Sequence, residues 1–286
     1  RRFIRGTDNM IGLLTQLKPS CDSHNARLGL ALHSLRAVPP EALREALSGL
    51  DELDATSPIH IHIAEQTGEV DACLRWSGQR PVEWLLNHAD VNARWCLVHA
   101  THMNDMECRR AARSGAVAGI CPSTEANLGD GIFDMPRWLS DTGAWGVGSD
   151  SHVTVNVAEE LLLLEYSQRL QLRQRNVLAS SHHPQVATAM TVQAVQGGAQ
   201  AAGRTIAGLA VGQQADVVAL DPQHLALAGL AAPQMLSAHV FASHRTSALS
   251  DVWVAGKRVV QAGRHPLHDE ARQRFVVART EIISES

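Results

Sequence analysis

Pro58-Ile59-His60-Ile61-His62-Ile63-Ala64-Glu65 is an apolar run broken only by two histidines and closed by a carboxylate. Side chains alternate across a strand, so His60 and His62 share one face and the isoleucines take the other. His62 then stands at the rim of that face, and His60 one layer deeper. Two later stretches are built alike. Trp95-Cys96-Leu97-Val98-His99-Ala100-Thr101-His102 and Trp145-Gly146-Val147-Gly148-Ser149-Asp150-Ser151-His152 are also apolar runs ending in metal-competent or acid/base groups. A recurring strand whose C-terminal end carries chemistry is the pattern of an enzyme with a parallel sheet.

Working outward, Arg27-Leu-Gly-Leu-Ala-Leu-His33 is another such strand, followed by Ser34-Leu35-Arg36. Pro39-Pro40-Glu41 opens a helix reaching about Leu53, because proline is tolerated in the first helical turn. The pattern predicts strands at 28–32, 58–63, 95–99, 116–121 and 145–149. Helices are predicted at 67–76, 81–89, 105–114 and 134–141, with a long one from 157 to about 175. Residues 122–131 read as a turn-rich loop, and the first 26 residues show no clear pattern. Continuous apolar strands alternating with helices imply a parallel sheet covered on both faces. A doubly wound open sheet is the rival, but it announces itself by a glycine-rich phosphate turn after its first strand, and none occurs here.

Past residue 176 the texture changes. Ser180–Pro184 reads as a linker and 186–202 as a helix of small residues. Gly212–Asp221 and Asp251–Val260 read as short strands, with a tight hairpin turn at Ala255-Gly256-Lys257. A last helix is expected from about His268 to Ile282.

Composition narrows the function. A net charge of −4 gives no electrostatic basis for binding nucleic acid or a membrane surface. No apolar run reaches the ~18 residues that span a bilayer. The five cysteines show no CxxC and read as reduced core thiols of a cytoplasmic protein.

These motifs, in this order, resemble the amidohydrolase superfamily, specifically its deaminase branch. The marks are His62-Ile-Ala-Glu65, His99 in Leu-Val-His-Ala-Thr-His, Gly148-Ser-Asp150, and the Gly-x-x-Ala-Asp-hydrophobic strand Gly212-Gln-Gln-Ala-Asp-Val-Val. The stretches His33–Val38, His60–Glu69 and Cys121–Phe133 narrow the match to members that deaminate a linear amidine bearing two carboxylates, in histidine degradation. The resemblance implies a (β/α)8 barrel of which strands four to eight are present. It assigns 1–203 to the barrel, 204–265 to part of a small β-sandwich and 266–286 to a C-terminal helix. It makes His62 and Asp150 ligands of one zinc ion, with iron as the alternative. Asp150 is also the base, Glu65 the proton shuttle, and His99 the group that polarises or holds substrate. His33 and Arg36 would contact the substrate, Arg36 as a bidentate clamp on a carboxylate. His60, His102 and His152 would support the ligands, and Glu125 and Asn127 would touch substrate or form a turn. A homodimer is implied.

The superfamily's first-strand His-x-His pair has no counterpart before residue 27, and the chain begins Arg1-Arg2-Phe3. That predicts a chain entered partway through, inactive by itself. A guanine- or triazine-type deaminase is the runner-up, but a flat ring calls for stacking and the chain has one Tyr and four Phe.

Overall fold

A computed structural model describes residues 5–151, 154–243 and 246–284. The chain divides after Ala207 into two compact units.

The first unit is built on five parallel strands: β1 (Leu30–Leu32), β2 (Ile59–Ile63), β3 (Trp95–His99), β4 (Val117–Ile120) and β5 (Ala144–Val147). They lie side by side in chain order, so β1 and β5 are the outer strands and the sheet is not closed. This is the α/β arrangement that the apolar runs predict. The register pairs Leu32 with Ile61 and Ile63 with His99, which brings the C-terminal ends of β1, β2 and β3 level. In β2 the three isoleucines are essentially fully buried and the two histidines half-buried, the alternation expected of a pleated strand.

Helices α2 (Pro40–Asp54), α3 (Thr67–Ser77), α4 (Pro81–His88), α5 (Asp105–Arg113), α7 (Met135–Ser140) and α8 (Val157–Leu172) sit close to their predicted positions. Two segments differ. The N-terminal region contains α1 (Thr7–Ser23), although Pro19 lies inside it. Leu14 is its one buried residue, and the helix packs on α2 where Ile11 meets Gly49. With so narrow an apolar stripe, the helix depends on a tertiary neighbour and leaves little periodicity to read. Residues 122–131 are not an open loop either. Pro122–Leu128 form α6, opened by proline at its first position and closed by Gly129 at φ +72°.

Helix α9 (Val186–Ala201) packs against β4 and β5. Its small residues have a direct cause. A Cβ on Gly197 would stand 1.9 Å from the carbonyl oxygen of Trp145, so helix and strand touch backbone to backbone.

The second unit holds the antiparallel sheet β6 (Val217–Leu220), β7 (Leu249–Val254), β8 (Lys257–Val260), with α10 (Ala232–Ala242) and α11 (His268–Ser284). Ala255 and Gly256 both have positive φ, +50° and +76°, as a two-residue hairpin between twisted strands requires. Helix α10 is an element that the sequence reading did not anticipate.

Candidate metal centre

The site lies at the C-terminal ends of β1, β2, β3 and β5. Three of those ends turn through left-handed backbone: Ala64 (φ +50°), His99 (+66°) and Ala100 (+51°), and Asp150 (+42°). Non-glycine residues seldom adopt this conformation, and it persists only where the surroundings enforce it. Here hydrogen bonds do so. Ala100 N–H donates to Ile63 O and His102 N–H to Ala64 O, both at 2.9 Å.

His62 Nδ1 lies 2.7 Å from the carbonyl oxygen of His33. A carbonyl only accepts, so Nδ1 carries the proton and Nε2 presents a lone pair. His99 Nδ1 lies 3.1 Å from Glu125 Oε1, which also accepts the Cys121 N–H at 2.8 Å. His99 Nε2 is buried and has no hydrogen-bond partner. It faces Asp150 Oδ2 at 3.7 Å and Glu65 Oε1 at 3.8 Å, while His62 Nε2 is 3.9 Å from Asp150 Oδ1. Ligand atoms of His62, His99 and Asp150 all lie within 4.8 Å of one another. His62 Nε2, freed by the bond from Nδ1 to His33, and the Asp150 carboxylate are donors that suit a divalent cation such as zinc, and the buried, unpartnered His99 Nε2 faces the same point. Each histidine is held by an oxygen on its far nitrogen, the orientation that metal-binding imidazoles need.

Burial lowers the pKa of His99, but the hydrogen bond and charge of Glu125, with the charges of Glu65 and Asp150, more than offset it. The net displacement is upward. Glu65 also meets the guanidinium of Arg36, whose Nη2 is 3.2 Å from Glu65 Oε2. His33 stacks obliquely beside His62, ring centres 5.6 Å apart, with its Nδ1 on Ser34 Oγ.

All six expected site residues, His33, Arg36, His62, Glu65, His99 and Asp150, therefore come together. The supporting residues divide. His60 Nε2 donates to the carbonyl of Ala201 at the end of α9 (2.8 Å), and His102 Nε2 to the carbonyl of Asp130 (2.6 Å). Neither side-chain bond reaches His62, His99 or Asp150. His152 and His244 lie outside the described residues. Asn127 is exposed, whereas Glu125 is buried against His99. Burial and the nearby Glu125 charge push the Cys121 thiol far up, which makes it a poor nucleophile.

At the site itself, helix α6 is the element that sequence reasoning missed. Besides Glu125 it carries Thr124, whose Oγ1 donates to Ser149 O (3.2 Å) and accepts from Ser151 N–H (3.1 Å), bracketing Asp150. The available signal was Pro122 followed three residues later by an acidic residue, a helix-start pattern.

A parallel α/β sheet with these groups at its strand ends is the arrangement of the amidohydrolase family, and the chain belongs to that family: the amidohydrolase family model matches residues 10–259. Formimidoylglutamate deiminase of Pseudomonas aeruginosa is 46% identical over 284 residues, which is 99% of this chain and 62% of the deiminase. The crystal structure of an amidohydrolase from Brucella melitensis superimposes with a TM-score of 0.92 at 44% identity, over 99% of this chain and 61% of that one. An adenosine deaminase from Xanthomonas campestris with bound zinc gives a TM-score of 0.76 at 25% identity, over 88% of this chain and 57% of its own. The chain thus spans less than two thirds of the length of these relatives.

Proposed function

We propose that the whole protein hydrolyses N-formimidoyl-L-glutamate to N-formyl-L-glutamate and ammonia. The observation that carries this reading is the convergence of His62, His99 and Asp150 within 4.8 Å, beside a carboxylate paired with an arginine. The 46% identity to a formimidoylglutamate deiminase supports the choice of substrate.

His62 and Asp150 would hold the divalent ion, zinc in the first instance and iron as the alternative. Such an ion supplies an activated water, with its pKa lowered to about 7. Asp150 takes the proton of the attacking water. Glu65 delivers a proton to the amidine nitrogen that departs, so water and C=NH become C=O and ammonia. Such proton transfers contribute roughly 10²–10⁴-fold. His99, with Nδ1 tied to Glu125 and its pKa raised, favours the form that donates from Nε2 to substrate. Arg36 offers a planar fork for a substrate carboxylate, and His33 lies beside His62 to contact the substrate. The substrate is a small molecule, met in the cytoplasm by a protein we take to be a homodimer.

The test is ammonia release by the zinc-loaded whole protein from N-formimidoyl-L-glutamate, guanine and a triazine. Turnover of the first alone is expected. Preference for a ring amidine would overturn the assignment. For residues 1–286 by themselves the two-ligand set, His62 and Asp150, and the unclosed sheet support a second reading: this span alone binds metal weakly and turns over little. Robust ammonia release from it would sink that reading.

A further inference from the structure

Glu69 is buried, 5% exposed, in the first turn of α3. Its Oε2 accepts a hydrogen bond from the Glu65 N–H at 2.9 Å, and its Oε1 is buried without a partner. Burying a carboxylate is costly, so a contact made with one is expected to return something. The acidic residue of a capping box normally reaches back to the amide of the residue before the helix. That residue is Gln66. The Glu69 carboxylate instead reaches one residue further, to Glu65. It therefore acts outside its own helix, on the turn that leaves β2.

That turn needs fixing. Ala64 sits at φ +50°, and its carbonyl is already held by the His102 N–H. With the Glu65 amide held by Glu69, the peptide plane on the amide side of Glu65 is fixed from both directions. The Glu65 carboxylate then has a defined origin, from which Oε2 meets Arg36 and Oε1 faces His99.

We propose that Glu69 is a positioning residue for Glu65, holding the proton-transferring carboxylate in register with the reacting nitrogen. The proposal rests on the reading of Glu65 given above. A shift of about 1 Å in such a group can cost on the order of 10²-fold in rate.

The experiment compares Glu69→Ala and Glu69→Gln with the unaltered whole protein, zinc-loaded, by steady-state kinetics and by amide hydrogen exchange. Glu69→Ala is expected to lower kcat by about tenfold or more with KM little changed, since the contact orients a reacting group and does not bind substrate. Exchange at the Glu65 amide should accelerate, while amides in the body of α3 keep their protection. Glu69→Gln retains an oxygen acceptor and should restore most of both, and it covers the case in which the alanine variant does not fold. Accelerated exchange with unchanged kcat would leave Glu69 a merely structural contact of the turn and overturn the proposal. Equal impairment of Gln and Ala, or unchanged exchange in both, would overturn it as well. Should the unaltered protein release no ammonia, the activity reading fails, and Glu69 is then judged on exchange at Glu65 alone.

Discussion

His62 and His99 each commit Nδ1 to an oxygen, the His33 carbonyl or the Glu125 carboxylate, and turn Nε2 toward Asp150. Removing a ligand should therefore differ from removing its neighbour. Zinc is expected to raise the melting temperature of the protein, since a ligand at 100 times its dissociation constant stabilises by about 2.7 kcal/mol. His62→Ala and Asp150→Asn should abolish that rise, whereas His99→Gln should keep most of it. Thermal scans with zinc and with chelator decide the point, and loss of the rise in His99→Gln would make His99 a ligand. His62, Glu65, His99 and Asp150 were legible in the sequence because each ends an apolar strand run. Glu125 was read as a substrate contact or a turn residue, and its bond to His99 was not legible, because that partner is 26 residues away in another element.

Among the elements, α6 and α9 show what periodicity leaves out. Residues 122–128 present turn-forming types, yet Glu125 and Thr124 bond to β3 and to the β5 exit, and these contacts anchor a seven-residue helix too short to stand alone. Helix α9 is legible as a helix, but the reason for its glycines appears only against β5. Gly197 and Gly198 are adjacent and should respond oppositely to alanine. Gly197→Ala drives a Cβ into the Trp145 carbonyl, where neither backbone can yield, at a cost of about 3 kcal/mol. Gly198 has nothing within 4 Å of its would-be Cβ, so Gly198→Ala should gain up to about 1 kcal/mol of helix propensity. Urea denaturation of the two variants measures both signs, and a stable Gly197→Ala would refute the backbone contact.

For the molecule as a whole, stability should depend on pH through Asp54 at the end of α2. Its pKa is lowered chiefly by the hydrogen bond from Thr56 Oγ1 (2.6 Å), with the Thr56 N–H and Arg27 adding to it against the opposing effect of burial. The folded value lies below the unfolded one, so the stabilisation is fully present above about pH 4 and is lost as pH falls through the folded value. Asp54→Asn should lower the urea midpoint at pH 7, with the deficit shrinking on acidification; a deficit constant with pH would contradict this origin. No helix of the described residues is long and apolar enough to cross a membrane, in keeping with the absence of long apolar runs in the sequence. By itself the sequence determined the five parallel strands, their order of function-bearing ends and the family they resemble. Strand burial and rim chemistry are written locally, in alternating and continuous apolar runs. Only the tertiary structure decided which oxygen orients each histidine, that α6 brackets Asp150, and that Glu69 reaches Glu65. The first two are hydrogen bonds between groups 25 or more residues apart, brought together by strand register and helix packing, and no local pattern encodes a partner that distant; the third is only four residues away, but it depends on how the chain turns between β2 and α3.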